Sequence, residues 1–437
     1  MIKIIVISRT PWNVSNSFGN TFSNLFEGME DVEIYNICCQ SGSADNDIVK
    51  CSVQLTDKSV LNSFLKKKQD PCCEQKVPQA EDNNEKGNIS KKNLPKNTFN
   101  YMARDFIWKL GKWKNSEVLN KFLNSVKPNL IYLPIYASWY MCDFQNWIID
   151  KLNVPVVGHI SDDVYGYPKG STPLELLYRF SLRKKVKKLV EKCSYLEVFA
   201  ENMKTEYEKI FNKKCYLIGK GIDISETDLS RVEKISLLDK PIKFLYTGNI
   251  GCERYKVICD IAKAIDKCSS DCEAVLEVYS ANALTNRMKK EFAKCKSLKF
   301  GGKITFNEVK KKQSDADILI HVESFSKRGL SSAKMSFSTK IIDYMLAKKP
   351  IFAVGPEEVN SISFLKNKNI AVVVTKKTDI ENKIANIISG DIDLAACVNR
   401  ALAYVKDERD IKKIQTGILS RMESVIQNEN PSDKCSI

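Results

Sequence analysis

Residues 337–354 read FSTKIIDYMLAKKPIFAV, and this stretch decides the fold. Its first part places apolar residues at helical intervals, and its last part, after Pro350, is an apolar run of strand length. A helix that leads directly into a buried strand is one repeat of a doubly wound α/β sheet. The stretch therefore predicts an α/β domain in the second half of the chain.

Similar apolar runs occur along the whole chain, and helix-length amphipathic stretches separate many of them. They form two sets: Ile2–Ser8, Val32–Cys38, Leu130–Tyr136, Val154–Ile160, Tyr195–Ala200 and Cys215–Ile218, and then Ile242–Thr247, Ala274–Tyr279, Ile318–Val322, Ile351–Val354 and Ile370–Thr375. Continuous apolar runs are typical of parallel strands that are buried on both faces. We predict an α/β protein of two doubly wound, Rossmann-like domains that face a cleft.

Changes in composition set the expected domain boundaries. The first domain should span residues 1–225 and the second residues 240–397, with a polar seam between them. Residues 66–100 have almost no apolar periodicity, which favours a disordered insertion over a long ordered loop. A final amphipathic helix is expected at 398–427, crossing back to the first domain, with a tail at 428–437.

Composition limits the class of protein. The 437 residues are 43% hydrophobic and 28% charged, which is globular and excludes a fibrous or wholly disordered chain. The 15 cysteines occur singly or as adjacent pairs, so we interpret them as reduced packing residues. Two histidines and no C-x-x-C pair predict no metal site and no cofactor. The start of the chain lacks signal-peptide features, so a cytoplasmic location is expected.

The loops that follow strands are where ligands bind in doubly wound domains. Gly19 and Asn20 follow the first strand at an expected helix start, where free N–H groups could meet an anion; a glycine that only lets the loop turn is the alternative. Gly248 and Asn249 open the second domain and are followed by Arg254 and Lys256. A glycine turn with two cations can receive a diphosphate, although solvated surface cations would look the same.

His159 lies at the end of the run Val154–Ile160, with Asp162 and Asp163 close behind. A neutral imidazole there could accept or orient a substrate hydroxyl, and a carboxylate could fix its tautomer. A structural histidine followed by a helix-capping aspartate is the alternative.

Thr339, Lys340 and Asp343 occupy the expected helix start within the opening stretch. Thr339 and Lys340 could meet a diphosphate there, and Asp343 could accept two ribose hydroxyls. An acid in the first turn also suits the helix dipole, so a purely structural role is the alternative.

With these residues assembled, the chain resembles the GT-B-fold, nucleotide-sugar-dependent glycosyltransferases, in particular the retaining family-four-like enzymes of bacterial surface-polysaccharide assembly. The resemblance is strongest from Thr339 to Ile351, which is similar to the family's T-K-hydrophobic-x-E/D-Y segment. It implies that Asp343 binds the donor ribose, that Gly248 to Arg254 form the diphosphate turn, and that His159, supported by Asp162, positions the sugar. It also implies that the Gly19 loop closes over the phosphates.

Three departures from the family pattern concern the donor site. Asn249 stands where the family usually has Arg, with Arg254 at the position of its Lys, and Asp343 replaces the usual Glu. The strict E-x7-E spacing would place the first acid at Met335, so Glu323 is taken as its substitute.

The net charge of +15 bears on the partner. The basic amphipathic stretch Pro173–Cys193 suits an anionic membrane surface, which would make the acceptor a saccharide or a lipid-linked saccharide on the inner face of the plasma membrane. A solvated helix face packed on its sheet is the alternative. No nucleic-acid motif is present, so no nucleic-acid partner is expected. A nucleotide-sugar epimerase of the same fold, a basic nucleic-acid-binding protein and a degenerate non-catalytic binder are the rival functions.

Overall fold

The computed structural model describes residues 1–65, 69–75, 98–167, 171–237, 241–268 and 273–429. These residues form two compact units. Unit 1 contains the described residues up to Gly221 together with those from Ile411 onward, and unit 2 runs from Ile222 to Asp410. The division therefore falls at Gly221, before the seam predicted at 225–240. Residues 222–237 belong to unit 2, where the backbone of Val232 is hydrogen-bonded to the Asn399 side chain.

Unit 1 is a sheet of eight strands in the order β4-β3-β2-β1-β5-β6-β7-β8. The pairs are parallel except for the edge pair β3 and β4. The strands are β1 Ile2–Ser8, β2 Val32–Cys38, β3 Val49–Leu55, β4 Cys72–Gln75, β5 Leu130–Pro134, β6 Val156–Ile160, β7 Tyr195–Val198 and β8 Cys215–Leu217. The helices are α1 Ser17–Phe26, α2 Asp57–Leu65, α3 Thr98–Leu110, α4 Glu117–Val126, α5 Trp139–Leu152, α6 Pro173–Glu191 and α7 Glu201–Phe211.

Unit 2 is a parallel sheet of six strands in the order β11-β10-β9-β12-β13-β14. The strands are β9 Ile242–Thr247, β10 Ala274–Tyr279, β11 Leu298–Gly302, β12 Ile318–Val322, β13 Ile351–Val354 and β14 Val372–Val374. The helices are α8 Arg254–Cys268, α9 Asn286–Phe292, α10 Phe306–Asp315, α11 Lys327–Ala333, α12 Lys340–Leu346, α13 Asn360–Asn367, α14 Ile380–Ile388 and α15 Leu394–Glu408; α16, Ile411–Glu429, belongs to unit 1.

The predicted α/β class with two doubly wound sheets is confirmed. Every predicted strand is present, but the pattern missed β3, β4 and β11. β4 and β11 are edge strands, and β3 and β11 carry polar residues between their apolar ones. The predicted disordered insertion at 66–100 is wrong for the residues described there, because β4 pairs with β3 and α3 begins at Thr98; residues 66–68 and 76–97 lie outside the described residues.

The single helix predicted at 398–427 is also wrong. It is two helices, α15 and α16, which break at Arg409 and Asp410. The carbonyl of Arg409 accepts a hydrogen bond from the backbone of Ile222, and Asp410 forms a β-bridge with the same residue. The break therefore lies where the chain passes from unit 2 into unit 1, next to the segment by which it entered unit 2.

Helix α16 completes the core of unit 1. Its Ile418 and Met422 are fully buried in the same core cluster as Trp12 and Phe22, which come from the other end of the sequence. Arg421, one residue before Met422, donates to Oε1 of Glu197 at 2.8 Å. Glu197 lies in β7, the second strand from the edge of the sheet, and is completely buried. The last described helix is thus tied to the sheet by both apolar packing and an ion pair.

The cysteines behave as packing residues in the described part of the chain, where all thirteen are free thiols and most are buried. Burial raises the pKa of Cys142 to about 12, which keeps this thiol protonated at neutral pH. Within the same residues, no helix is long and apolar enough to cross a membrane.

We predict that Arg421→Met destabilises unit 1 by about 3 kcal/mol, because it leaves the buried carboxylate of Glu197 without its cation. All five tryptophans lie in unit 1, so tryptophan fluorescence during urea unfolding reports on this unit alone. Lys413→Met, which removes an exposed cation from the same helix, is the matched control and should leave the midpoint unchanged. Adding Glu197→Gln to Arg421→Met should recover part of the loss; an unchanged midpoint in the single variant would contradict the role of the ion pair.

Candidate functional site

The candidate site in unit 2 lies where the strand order of the sheet reverses, between β9 and β12. Ligands of doubly wound domains bind outside the carboxyl ends of the strands at such a point. Arg254 is the first residue of α8, after the loop that follows β9, and Glu323 directly follows β12. Nε and Nη2 of Arg254 donate to Oε2 of Glu323 at 3.1 and 2.7 Å. The structure therefore brings together two residues that lie 69 positions apart.

The loop between β9 and α8 has an unusual backbone. Cys252 and Glu253 have φ angles of 51° and 65°, in the left-handed region that non-glycine residues seldom adopt. Each such residue costs about 1 kcal/mol, and strain of this kind concentrates at functional sites. Glu253 forms an ion pair with Lys256, which directs the Lys256 side chain to this loop. The Asn249 side chain accepts from the backbone of Gly251 at 2.6 Å and so holds the same turn.

The side chain of Lys340 extends from α12 to the loop that follows β9. Its Nζ donates to the carbonyl of Thr247 at 2.9 Å, and a Cβ on Gly248 would stand only 2.1 Å from that nitrogen. Gly248 has a φ angle of 150°, which other residues rarely adopt, and a side chain here would also displace the ammonium group. Burial of this group, together with the charge of Arg254, lowers the pKa of Lys340 to about 8. A buried, weakly solvated cation of this kind gains most when an anion arrives.

Helix α12 begins as the sequence predicts, with Thr339 at its N-cap, although the Thr339 side chain makes no capping hydrogen bond. Asp343 is half-buried in the first turn. Met335, the position of the expected first acid in the E-x7-E spacing, is buried. Glu323, its proposed substitute, is also buried; burial raises the pKa of its carboxyl, and Arg254 opposes this effect.

Sequence reasoning missed His321, the second of the two histidines. It lies in β12, two residues before Glu323, and its Nε2 is 3.0 Å from Oγ of Ser361 and 3.8 Å from Oε1 of Glu323. Burial lowers the pKa of His321 to about 3, so the ring is neutral. The signal that could have found it is its position at a strand end, which is the signal that selected His159.

In unit 1, His159 lies in β6 and belongs to a buried chain of hydrogen bonds. Its Nδ1 is 3.0 Å from the hydroxyl of Tyr132, and that hydroxyl also forms a short hydrogen bond with Glu197. A carboxylate only accepts, so Tyr132 donates to Glu197 and accepts from Nδ1–H of His159. The lone pair of the ring is therefore on Nε2, where Ser161 donates at 3.1 Å. Because Ser161 is exposed, a substrate hydroxyl could take its place.

The predicted support of His159 by Asp162 or Asp163 is not what the structure shows. Both ring nitrogens are taken by Tyr132 and Ser161, and the tautomer is set through Glu197. Asp163 accepts from the backbones of Tyr165 and Gly166 and from the hydroxyl of Tyr207, so it holds the turn after β6. Asp162 is exposed. Glu197 was missed because a carboxylate inside an apolar strand has no local sequence signal.

The expected free N–H groups at Gly19 and Asn20 are not found. Helix α1 begins earlier, at Ser17, and the side chain of Asn16 caps it by accepting from Gly19 N at 2.8 Å. The N–H of Asn20 is bonded to the carbonyl of Asn16. A Cβ on Gly19 would lie 2.1 Å from the carbonyl oxygen of Asn13, so close backbone packing explains the glycine.

Arg9 is a further residue that the sequence did not single out. It follows β1, at the point where the strand order of unit 1 reverses between β1 and β5. Its backbone N–H donates to the hydroxyl of Tyr136 at 3.3 Å, and its Nε is buried without a hydrogen-bond partner. A cation with an unsatisfied donor at a switch point is suited to bind an anion. Across the described residues, no group of three or more His, Cys, Asp or Glu side chains could hold a metal ion.

Comparison with known proteins identifies the architecture. The sequence matches no protein-family model and no curated protein. The structure is similar to that of Anabaena Alr3699/HepE in complex with UDP-glucose, with a TM-score of 0.61 and 14% identity over 97% of this chain and 100% of that one. It is also similar to sucrose-phosphate synthase from Thermosynechococcus elongatus, with a TM-score of 0.60 and 14% identity over 97% and 99% of the two chains. The chain has the fold of the GT-B glycosyltransferases.

Another GT-B structure is similar over nearly the whole chain. The lipopolysaccharide outer core galactosyltransferase WaaB, in its apo form, matches with a TM-score of 0.55 and 12% identity over 96% of this chain and 100% of that one. At these identities the likeness establishes the GT-B fold, and the site residues have to be argued from their own geometry.

We predict that the stability of unit 1 falls as the pH is lowered from 6.5 to 5. Burial lowers the pKa of His159 to about 3, whereas the unfolded chain protonates this residue near 6.5. The unfolded state then binds more protons than the folded state, which costs about 1.4 kcal/mol for each pH unit below 6.5.

Urea unfolding followed by tryptophan fluorescence measures this slope in unit 1. His159→Gln should lower stability at pH 7 but flatten the loss between pH 6.5 and pH 5. Equal slopes in the two proteins would show that His159 does not stay neutral in the folded chain.

Proposed function

We propose that the protein is a glycosyltransferase that moves a sugar from a nucleotide-sugar donor to a saccharide or lipid-linked acceptor. The observation that carries the proposal is the cluster of Arg254, Glu323 and Lys340 at the switch point of unit 2, within a chain of GT-B fold. The similar HepE structure holds UDP-glucose, which supports a nucleotide-sugar as the donor.

The donor site follows from the charges in this cluster. When the bond between the anomeric carbon and the diphosphate oxygen breaks, negative charge develops on the leaving diphosphate. Arg254 and Lys340 stabilise that charge, and the partly buried position of both cations strengthens the effect. Thr339 lies beside the diphosphate, and the carboxylate of Asp343 accepts hydrogen bonds from the hydroxyls of the ribose. Glu323 holds the guanidinium of Arg254 in place before the donor binds.

Unit 1 takes the acceptor side of the reaction in this proposal. Nε2 of His159 accepts a hydrogen bond from a sugar hydroxyl, which takes the place of the Ser161 hydroxyl. We expect retention of the anomeric configuration, as the family resemblance implies, and no resident metal. The pathway is surface-polysaccharide assembly at the cytoplasmic face of the plasma membrane, with peripheral attachment through the basic helix α6.

The experiment that tests the donor class is a thermal-shift screen of the full chain with UDP, GDP, CMP and ADP. One nucleotide at 100 times its Kd should stabilise the protein by about 2.7 kcal/mol and raise its Tm by several degrees. We expect UDP to be that nucleotide. The absence of a shift with any of the four would overturn the donor site.

We predict that Arg254→Ala and Asp343→Ala each lower turnover of the stabilising nucleotide-sugar by about tenfold or more, because each removes a contact with the donor. Arg287→Ala and Asp407→Ala remove exposed residues of the same types from unit 2 and are the matched controls. Circular dichroism checks that all four variants fold.

Release of free nucleotide only when an acceptor is present is the expected readout. Conversion of the donor sugar without an acceptor would indicate an epimerase instead. Normal turnover in both site variants would show that the cluster does not bind the donor.

A further inference from the structure

The large apolar side chains that remain exposed are not scattered over the protein. Fifteen are exposed in the described part of the chain, and all of them belong to unit 1. Eleven of the fifteen lie on only three helices, α2, α3 and α6. Single exposed apolar residues are ordinary on protein surfaces, but a concentration of this kind marks an interaction surface.

The apolar residues of α3 form a continuous stripe. Phe99, Met102, Phe106 and Leu110 recur at intervals of three and four residues, and Phe99 and Phe106 are 71% and 60% exposed. At about 100° per residue these four lie within a narrow arc of the helix. The opposite side carries Trp108, which is buried. The helix is therefore apolar on two opposite sides: unit 1 covers the side with Trp108, and the stripe on the other side stays exposed.

The neighbouring helices extend the stripe sideways. Leu61, Phe64 and Leu65 are exposed on α2, and Arg104 and Trp108 of α3 both donate to Asp57, the first residue of α2. On the other side, Tyr178 of α6 donates to Asp105 of α3 at 2.8 Å. These polar contacts fix the three helices side by side beneath their exposed apolar residues.

Helix α6 adds positive charge to this surface. Leu174, Leu176, Leu177 and Phe180 are exposed in its first turns, and Leu177 is 69% exposed. The exposed side then continues with lysines; the first of them, Lys184, lies 4.6 Å from the ring centroid of Phe180. Val186, Leu189 and Val190 on the other side of the same helix are buried in the core.

Charge decides which partner fits this surface. The three helices carry nine Lys or Arg residues and four Asp or Glu residues. Asp57 is paired with Arg104, and Asp105 accepts from Tyr178. Glu175 is half-buried in the first turn of α6, and Glu191 is exposed at its far end. Apolar side chains bordered by cations match a layer of acyl chains beneath anionic headgroups.

We propose that the exposed sides of α2, α3 and α6 form one docking platform for an anionic phospholipid surface. Phe106 and Leu177 enter the interface between headgroups and acyl chains, and the lysines of α6 lie against the phosphates. The platform deepens the peripheral attachment proposed above, because it adds α2 and α3 to the basic helix. It does not depend on glycosyl transfer, since neither Arg254 nor Lys340 takes part.

The test is flotation of the purified full chain with vesicles of phosphatidylcholine alone or with 30% phosphatidylglycerol. The protein should float with the anionic vesicles, and about 0.5 M salt should weaken the binding because it screens the lysines. Phe106→Ser and Leu177→Ser should each weaken binding by about tenfold, the value expected for loss of one large buried side chain. Leu217→Ser, at an exposed leucine of strand β8, is the matched control and should bind like the wild type.

Other outcomes would overturn the platform. These are failure to float at low salt, equal binding to both kinds of vesicle, or an equal loss in the Leu217 variant. Self-association that Phe106→Ser abolishes, without any vesicle binding, would assign the surface to a second copy of the chain. Turnover of a water-soluble acceptor by Phe106→Ser should equal that of the wild type, so failure of the platform and failure of the glycosyltransferase proposal can be told apart.

Discussion

The ion pair between Arg254 and Glu323 is the interaction on which the proposed donor site depends. Glu323 is buried at the end of β12, and a buried carboxylate needs a cation and hydrogen bonds to remain stable. Arg254 can supply them only if the loop after β9 delivers it to the neighbouring strand end, which it does through two left-handed residues. Gly248 then leaves room for Lys340 beside the same loop. One paired charge thus explains the backbone of this loop, and Lys340 is held beside it by the carbonyl of Thr247.

The two units use buried charge in different ways. In unit 2 the cations stand at the end of the sheet, where a ligand can become their partner. In unit 1 the carboxylate of Glu197 lies within a strand and is satisfied from two sides, by Tyr132 and by Arg421. The second arrangement fixes the tautomer of His159, and burial keeps the ring neutral. The charges of unit 2 are therefore suited to an anion, whereas the hydrogen bonds of unit 1 leave His159 with a free acceptor nitrogen toward Ser161.

The sequence predicted the fold well, because continuous apolar runs report directly on buried parallel strands. It failed where burial was partial, as in β4 and β11, and where a helix ended for a tertiary reason, as at Asp410. Of the residues selected at strand ends, Arg254, Glu323 and Lys340 come together in the structure, whereas Gly19 serves packing. Glu197 and Arg421 escaped notice because their meeting depends on a separation of 224 residues, which no local pattern encodes.

The return of the chain into unit 1 determines the order in which the two units can finish folding during translation. Residues 222–410 are contiguous, so unit 2 is complete as soon as its own segment has left the ribosome. Unit 1 is not, because Ile418 and Met422 fill its core and are among the last described residues to be made. Until then the core cluster that contains Trp12 and Phe22 lacks two of its buried side chains, and Glu197 lacks its cation. The unit made first must therefore finish folding last, and its unfinished core is the surface that a chaperone would meet on the nascent chain.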